Sequence, residues 1–134
     1  MYKRCIAICI LASLTLGCAN LKDITRLKQF EDVLLGYRHA MRWSDFDYIV
    51  QFVDPSTLEA NPPDHQFLKL VKVTDYKVRK TSASEDENHV YQLVEISYYR
   101  TDKMIVNTIT ERETWEWDNE GKQWLLKSGL PNFK

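Results

Sequence analysis

Glu111 and Glu113 stand two residues apart in a run where they alternate with Thr110, Arg112 and Thr114 and which leads into Trp115. Carboxylates at that spacing fall on one face of an extended strand, the face that also takes Ile109 and Trp115. A glutamate held against tryptophan on a concave face loses water, its pKa rises, and it becomes fit for general acid or base work. The other arrangement puts both glutamates at a wet rim or pairs them with Arg or Lys. Ion pairs of that kind are commoner than catalytic carboxylates, so the expectation is the wet or paired one and no catalytic residue is assigned.

Other chemistries find less to work with. His39, His65 and His89 have no spacing that gathers two ligands on one face, so no metal is expected. Glycines at 17, 36, 121 and 129 lie too far apart for a phosphate-cradling loop, and no Gly-x-Ser-x-Gly elbow occurs. No cofactor is expected. Cys18 is different. Lys3 and Arg4, an apolar run from Cys5 to Leu16, and the small Gly17 before it have the layout of an export signal with its cleavage point. The run is about a dozen residues, whereas a helix needs roughly 20 to span the hydrocarbon.

Leu14-Thr15-Leu16-Gly17-Cys18 resembles the lipobox of bacterial lipoproteins, with Thr15 where that family prefers leucine. The resemblance implies that Cys18 takes a diacylglycerol thioether, that the chain is cut before it, and that the new amino terminus is acylated. Residues 1–17 are then a signal peptide and 18–134 a single domain tethered at Cys18. Two or more acyl chains give lasting membrane attachment. Ala19, in place of the aspartate that retains enterobacterial lipoproteins in the inner membrane, resembles the set sent to the outer membrane. The implied location is the bacterial envelope, at the outer membrane, facing the periplasm.

The whole chain carries 18 basic and 19 acidic residues; removing Lys3 and Arg4 leaves the domain with a net charge of −3. A nucleic-acid partner is not expected, because such domains usually carry a marked positive excess. Cys5 and Cys9 leave with the signal and Cys18 is acylated, so no disulfide or thiolate site remains and stability must come from packing. Four tryptophans, seven tyrosines and five phenylalanines supply the large side chains for it.

Asn20 and Asp23 start a helix in which Ile24, Leu27, Phe30, Leu34, Tyr37 and Met41 recur at spacings of three and four, running to about Trp43. Its Lys22, Arg26 and Lys28 can meet acidic headgroups, although an ordinary solvated face is the commoner meaning. Ser44 reads as the cap of a second helix, with Trp43 stapled on Tyr48, ending at Asp54 before Pro55. Asp54–Leu58 adds a turn and Asn61–Asp64 is loop. Strands follow over 67–80, 89–100, 104–117 and 123–127, with a bulge near Leu70 and a left-handed residue at Gly121.

Helices followed by a meander of long strands make an α+β domain, with N-terminal helices packed on a curved antiparallel sheet of about four strands. Trp43-Ser44-Asp45-Phe46-Asp47, then Phe52-Val53-Asp54-Pro55, then Glu116-Trp117-Asp118-Asn119-Glu120-Gly121-Lys122-Gln123-Trp124 resemble the nuclear transport factor 2-like superfamily over about residues 22–128. The resemblance implies a sheet wrapped around helices as a cone, its mouth binding ligands in some members. Tyr37, Met41, Phe46, Tyr98, Ile109, Trp115 and Trp124 are the residues that could line it, though side chains of this size are more often plain core. No Asp/His or Asp/Tyr pair of that superfamily maps onto this chain. The expected role is a binding or assembly module, with an enzyme using Glu111 or Glu113 and a component of a periplasmic secretion machine as the alternatives. Apolar residues on both sheet faces, as at Tyr98 and Tyr99, make the outer face the expected interface for a homodimer or an envelope partner.

Overall fold

A long helix, α1 (Ala19–Arg42), lies against one face of the sheet and supplies much of what fills the interior. The description rests on a computed structural model and covers residues 19–134, with side chains from Arg26 onward. Phe30, Tyr37, Ala40 and Met41 are its buried residues, with Val33 and Leu34 packed beside them, so the spacing of three and four does turn one stripe inward. Ile24 and Lys22 lie outside the described side chains.

The chain leaves α1 through Ser44, which sits at φ 56°, and Ser44 Oγ accepts from the backbone N–H of Val73 at 2.8 Å. Ser44 is therefore a tie to the sheet, and the cap of the next helix is Asp45, whose Oδ1 accepts from Tyr48 N at 3.1 Å. That helix, α2 (Phe46–Ile49), continues as a 3-10 turn over Val50–Phe52. Trp43 is exposed and lies beside His39, while Tyr48 packs edge-on against Phe52, so the expected staple does not form. Asp54 caps α3 (Pro55–Ala60), with Pro55 in its first turn. Asp64 caps a short α4 (His65–Leu68) in a stretch whose end reads from sequence as strand.

Four strands follow: β1 (Val71–Ala83), β2 (His89–Arg100), β3 (Val106–Asp118) and β4 (Gln123–Leu126), paired antiparallel in chain order. The fold is α+β, an open four-stranded antiparallel sheet with helices on it. β1 carries register shifts at Val73/Asp75 and at Val78/Lys80, later than the bulge expected near Leu70. In the β3–β4 turn Lys122, not Gly121, takes the left-handed conformation, at φ 52°. Val90, Val94, Ile96 and Tyr98 from β2 and Trp115 from β3 point inward to meet α1. The opposite face is open, with Lys72, Tyr91, Thr108, Thr110 and Arg112 exposed. Among the described residues no helix is long and apolar enough to cross a membrane.

Candidate functional site

The inward face of β3 places Glu113 in the core, directly opposite Gln92 of β2 and two residues before Trp115. Glu113 is 3% exposed. Neither Arg nor Lys pairs with it among the described residues, so the wet or ion-paired arrangement expected for this glutamate is not the one found. Its partners are two tyrosines. Tyr76 of β1 donates to Oε2 at 2.7 Å and Tyr37 of α1 donates to Oε1 at 3.3 Å. Burial pushes the Glu113 carboxyl up to about 7; the hydroxyls of Tyr76 and Tyr37 and the nearby Trp115 indole act against that rise, and Glu111 adds to it. Burial also drives both tyrosine hydroxyls well above their ordinary value, helped by the Glu113 charge, so they remain donors.

A carboxyl titrating near neutrality has the property that acid–base catalysis requires. Reach is what it lacks. Tyr37 and Trp115 are fully buried and meet edge to face with ring centroids 5.1 Å apart, and Tyr37 also packs on Tyr76 and Phe52. Each such aromatic pair adds roughly 0.5–1.5 kcal/mol beyond area burial. A cleft of about 380 Å³ lies between α3, α4 and the C-terminal tail, and a smaller one of about 230 Å³ beside Trp117 and Trp124; Glu113, Tyr37 and Tyr76 line neither. The site is a buried polar triad.

The other residues singled out from the sequence fall as follows. Met41 is fully buried, Phe46 and Tyr98 both pack on Phe133 of the tail, and Trp124 packs on Phe30 while its indole N–H donates to the Arg26 carbonyl at 3.0 Å. These are core contacts, and of the seven proposed lining residues only Trp124 borders a cleft, the smaller one. Ile109 is half-buried on β3. Glu111 is half-buried, with Oε1 accepting from Asn132 N at 3.0 Å. Arg26 lies over the Trp117 ring at 5.2 Å and donates to Asn88 Oδ1, contacts that tie this end of α1 to the sheet. Cys18 and the rest of residues 1–18, where the signal is expected, lie outside the described residues.

Two polar groups escaped the sequence reading. Tyr76 stands in line with Ile96 and Ile109 in the sheet, so its bond to Glu113 runs diagonally across β2, a contact that strand register alone does not reveal. Gln92 is 4% exposed, donates to Thr81 Oγ1 at 3.1 Å and leaves Oε1 without a partner, as does the buried Trp115 Nε1. His65 lies 3.9 Å from Asp47 and His89 3.3 Å from Glu116, and no group of three or more His, Cys, Asp or Glu forms a metal site among the described residues. Compared with protein-family profiles, curated proteins and solved structures, the chain matches none.

Proposed function

We propose that this chain is a lipid-anchored protein of the bacterial envelope that works as a binding or assembly module. Its domain is a cone of the nuclear transport factor 2-like kind with a filled interior, held through Cys18 at the outer membrane on the periplasmic side. The observation that supports the reading is the packing of Tyr37, Trp115, Trp124 and Phe30 across the inner sheet face, which buries Glu113, the carboxyl with a pKa near neutrality, away from both clefts. With the interior occupied, function falls to the surface, and the open sheet face and its edges offer more of it than the two clefts beside α3 and Trp117. The export layout of residues 1–18 supplies the tether.

Fractionation tests the tether. Wild-type protein should stay with membranes through a high-salt wash, its N-terminal peptide carrying acyl mass on Cys18, while Cys18→Ser is released. A bare thiol at Cys18, or a Cys18→Ser variant still retained, overturns the anchor. An acid–base enzyme is the second reading, favoured by the Glu113 titration alone. It requires a cavity reaching Glu113, and a small molecule that protects Tyr37 or Tyr76 from modification would establish one.

A further inference from the structure

β3 is paired on both sides along only part of its length. β2 accompanies it from Val106 to Glu116, but β4 pairs with it only from Trp115 to Asp118. The chain then turns at Gly129, φ 79°, and the tail crosses to the inner face, where Phe133 packs on Tyr98. The first half of β3 is left as a sheet edge.

The direction of its backbone groups follows from two bonds. Lys127 N donates to the Thr114 carbonyl on the β4 side, and Trp117 N donates to the Asn88 carbonyl on the β2 side. Antiparallel ladders alternate, and the β2–β3 register runs unbroken, so even-numbered residues of β3 face away from β2. Val106, Thr108, Thr110 and Arg112 thus present N–H and C=O groups outward, with no backbone partner among the described residues.

The chemistry of this edge differs from that of the other one. β1 is interrupted by two register shifts and carries Lys72, Lys77, Arg79 and Lys80, devices that discourage strand addition. The segment Met104-Ile105-Val106-Asn107-Thr108-Ile109-Thr110 has no charge, no proline and no glycine, and most of it is β-branched. Met104, Ile105 and Val106 are 70%, 62% and 63% exposed. Unpaired backbone of this kind fits one class of partner, another extended strand.

We infer that the Val106–Arg112 edge pairs antiparallel with the same edge of a second copy of this chain, joining two sheets into one about a twofold axis at Ile109. In that register Val106 lies opposite Arg112 of the second copy, Thr108 opposite Thr110, and Asn107 opposite Glu111, so neither charged residue meets its own kind. All the outward N–H and C=O groups of the four even residues find partners, which a shift of register in either direction would lose. The interface is isologous and closes at two copies, with both α1 helices on one face of the joined sheet. The inference rests on the assembly reading and gives it a partner.

The test uses the full chain. Ile109 lies at a non-hydrogen-bonded position of the proposed ladder, where facing Cα atoms approach to about 4.5 Å, close enough for a disulfide. Under mild oxidation in intact cells Ile109→Cys should give a covalent dimer, whereas the parent chain with its native cysteines, and Lys72→Cys on the β1 edge, should not. In detergent extracts the wild type should sediment as a dimer. Thr108→Pro removes one outward N–H without touching the β2 ladder, and Thr110→Lys puts a charge on the edge; each should weaken dimerisation roughly tenfold or more while far-ultraviolet circular dichroism stays unchanged. A monomeric wild type, or a dimer indifferent to both substitutions, overturns the inference. If that monomer still crosslinks to another envelope protein, self-pairing fails and the assembly reading stands; if it crosslinks to nothing, both fail.

Discussion

Replacing Glu113 by glutamine should remove most of the dependence of stability on pH between about 5 and 8. Burial raises this carboxyl from 4.5 to about 7 in the folded protein, so the native state holds the proton more tightly than the unfolded chain. The sign follows from linkage: the contribution is fully present below about pH 4.5 and is lost as pH rises through about 7. A shift of this size corresponds to about 3 kcal/mol, at roughly 1.4 kcal/mol per pH unit. Glutamine has the same shape, can still accept from one tyrosine and donate to the other, and carries no charge. Urea unfolding followed by tryptophan fluorescence from pH 5 to 8.5 reads the difference. Wild type should lose roughly 2–3 kcal/mol across the range, part of the contribution being already gone at pH 5, and Glu113→Gln little, so that the variant is the more stable protein at pH 8. Asp54, Asp75, Glu95 and Asp102 have lowered values, and their contributions disappear only as pH falls below the ordinary carboxylate range, outside this window. Parallel curves for the two proteins would refute the burial argument.

Three further outcomes follow from neighbouring contacts. Tyr76→Phe deletes the shorter bond to Glu113 and should raise the carboxyl further, costing roughly 1.5–3 kcal/mol at pH 8 and less at pH 5, a difference the same unfolding series measures. Gly36→Ala should stabilise by roughly 0.5–1 kcal/mol, read as a higher urea midpoint, because the added methyl in α1 meets Phe52 Cζ at an ordinary 3.5 Å. Asp54→Ala removes the α3 cap to Thr57 N and the 3.2 Å ion pair with Lys127, and should cost about 1–2 kcal/mol at pH 7. That cost should shrink in acid, since the lowered Asp54 pKa makes its contribution fade as pH falls through the folded value.

The parts of the fold that repeat with a fixed period were legible in the sequence. Phe30, Tyr37 and Met41 mark the inward stripe of α1, and the alternation of Val90, Val94, Ile96 and Tyr98 marks the inward face of β2. The same alternation puts Glu111, Glu113 and Trp115 on one side of β3, so the candidate carboxyl was visible before its surroundings were. Those surroundings depend on contacts far apart in the chain. Tyr37 and Tyr76 reach Glu113 across 76 and 37 residues, and no local pattern announces them. Helix α4 was missed because Phe67 and Leu68 look like the start of a strand, although Asp64 three residues before Phe67 is the cap signal. Ser44 and Lys122 show the same limit in turns, where tertiary ties decide which residue takes a positive φ. The half-open β3 edge was implicit in the strand lengths, since a strand over 123–127 is too short to accompany one over 104–117, and β4 does end at Leu126 while β3 starts at Val106.

On the proposed reading this domain works through its surface. That reading is tested most directly by placing a photo-crosslinking residue at Tyr91, on the open sheet face, and another at Val106, on the free edge, in intact cells. Discrete protein adducts are predicted from at least one position, with a self-adduct from Val106. No adduct from either, together with a small molecule that protects Tyr37 and Tyr76 from modification, would contradict it.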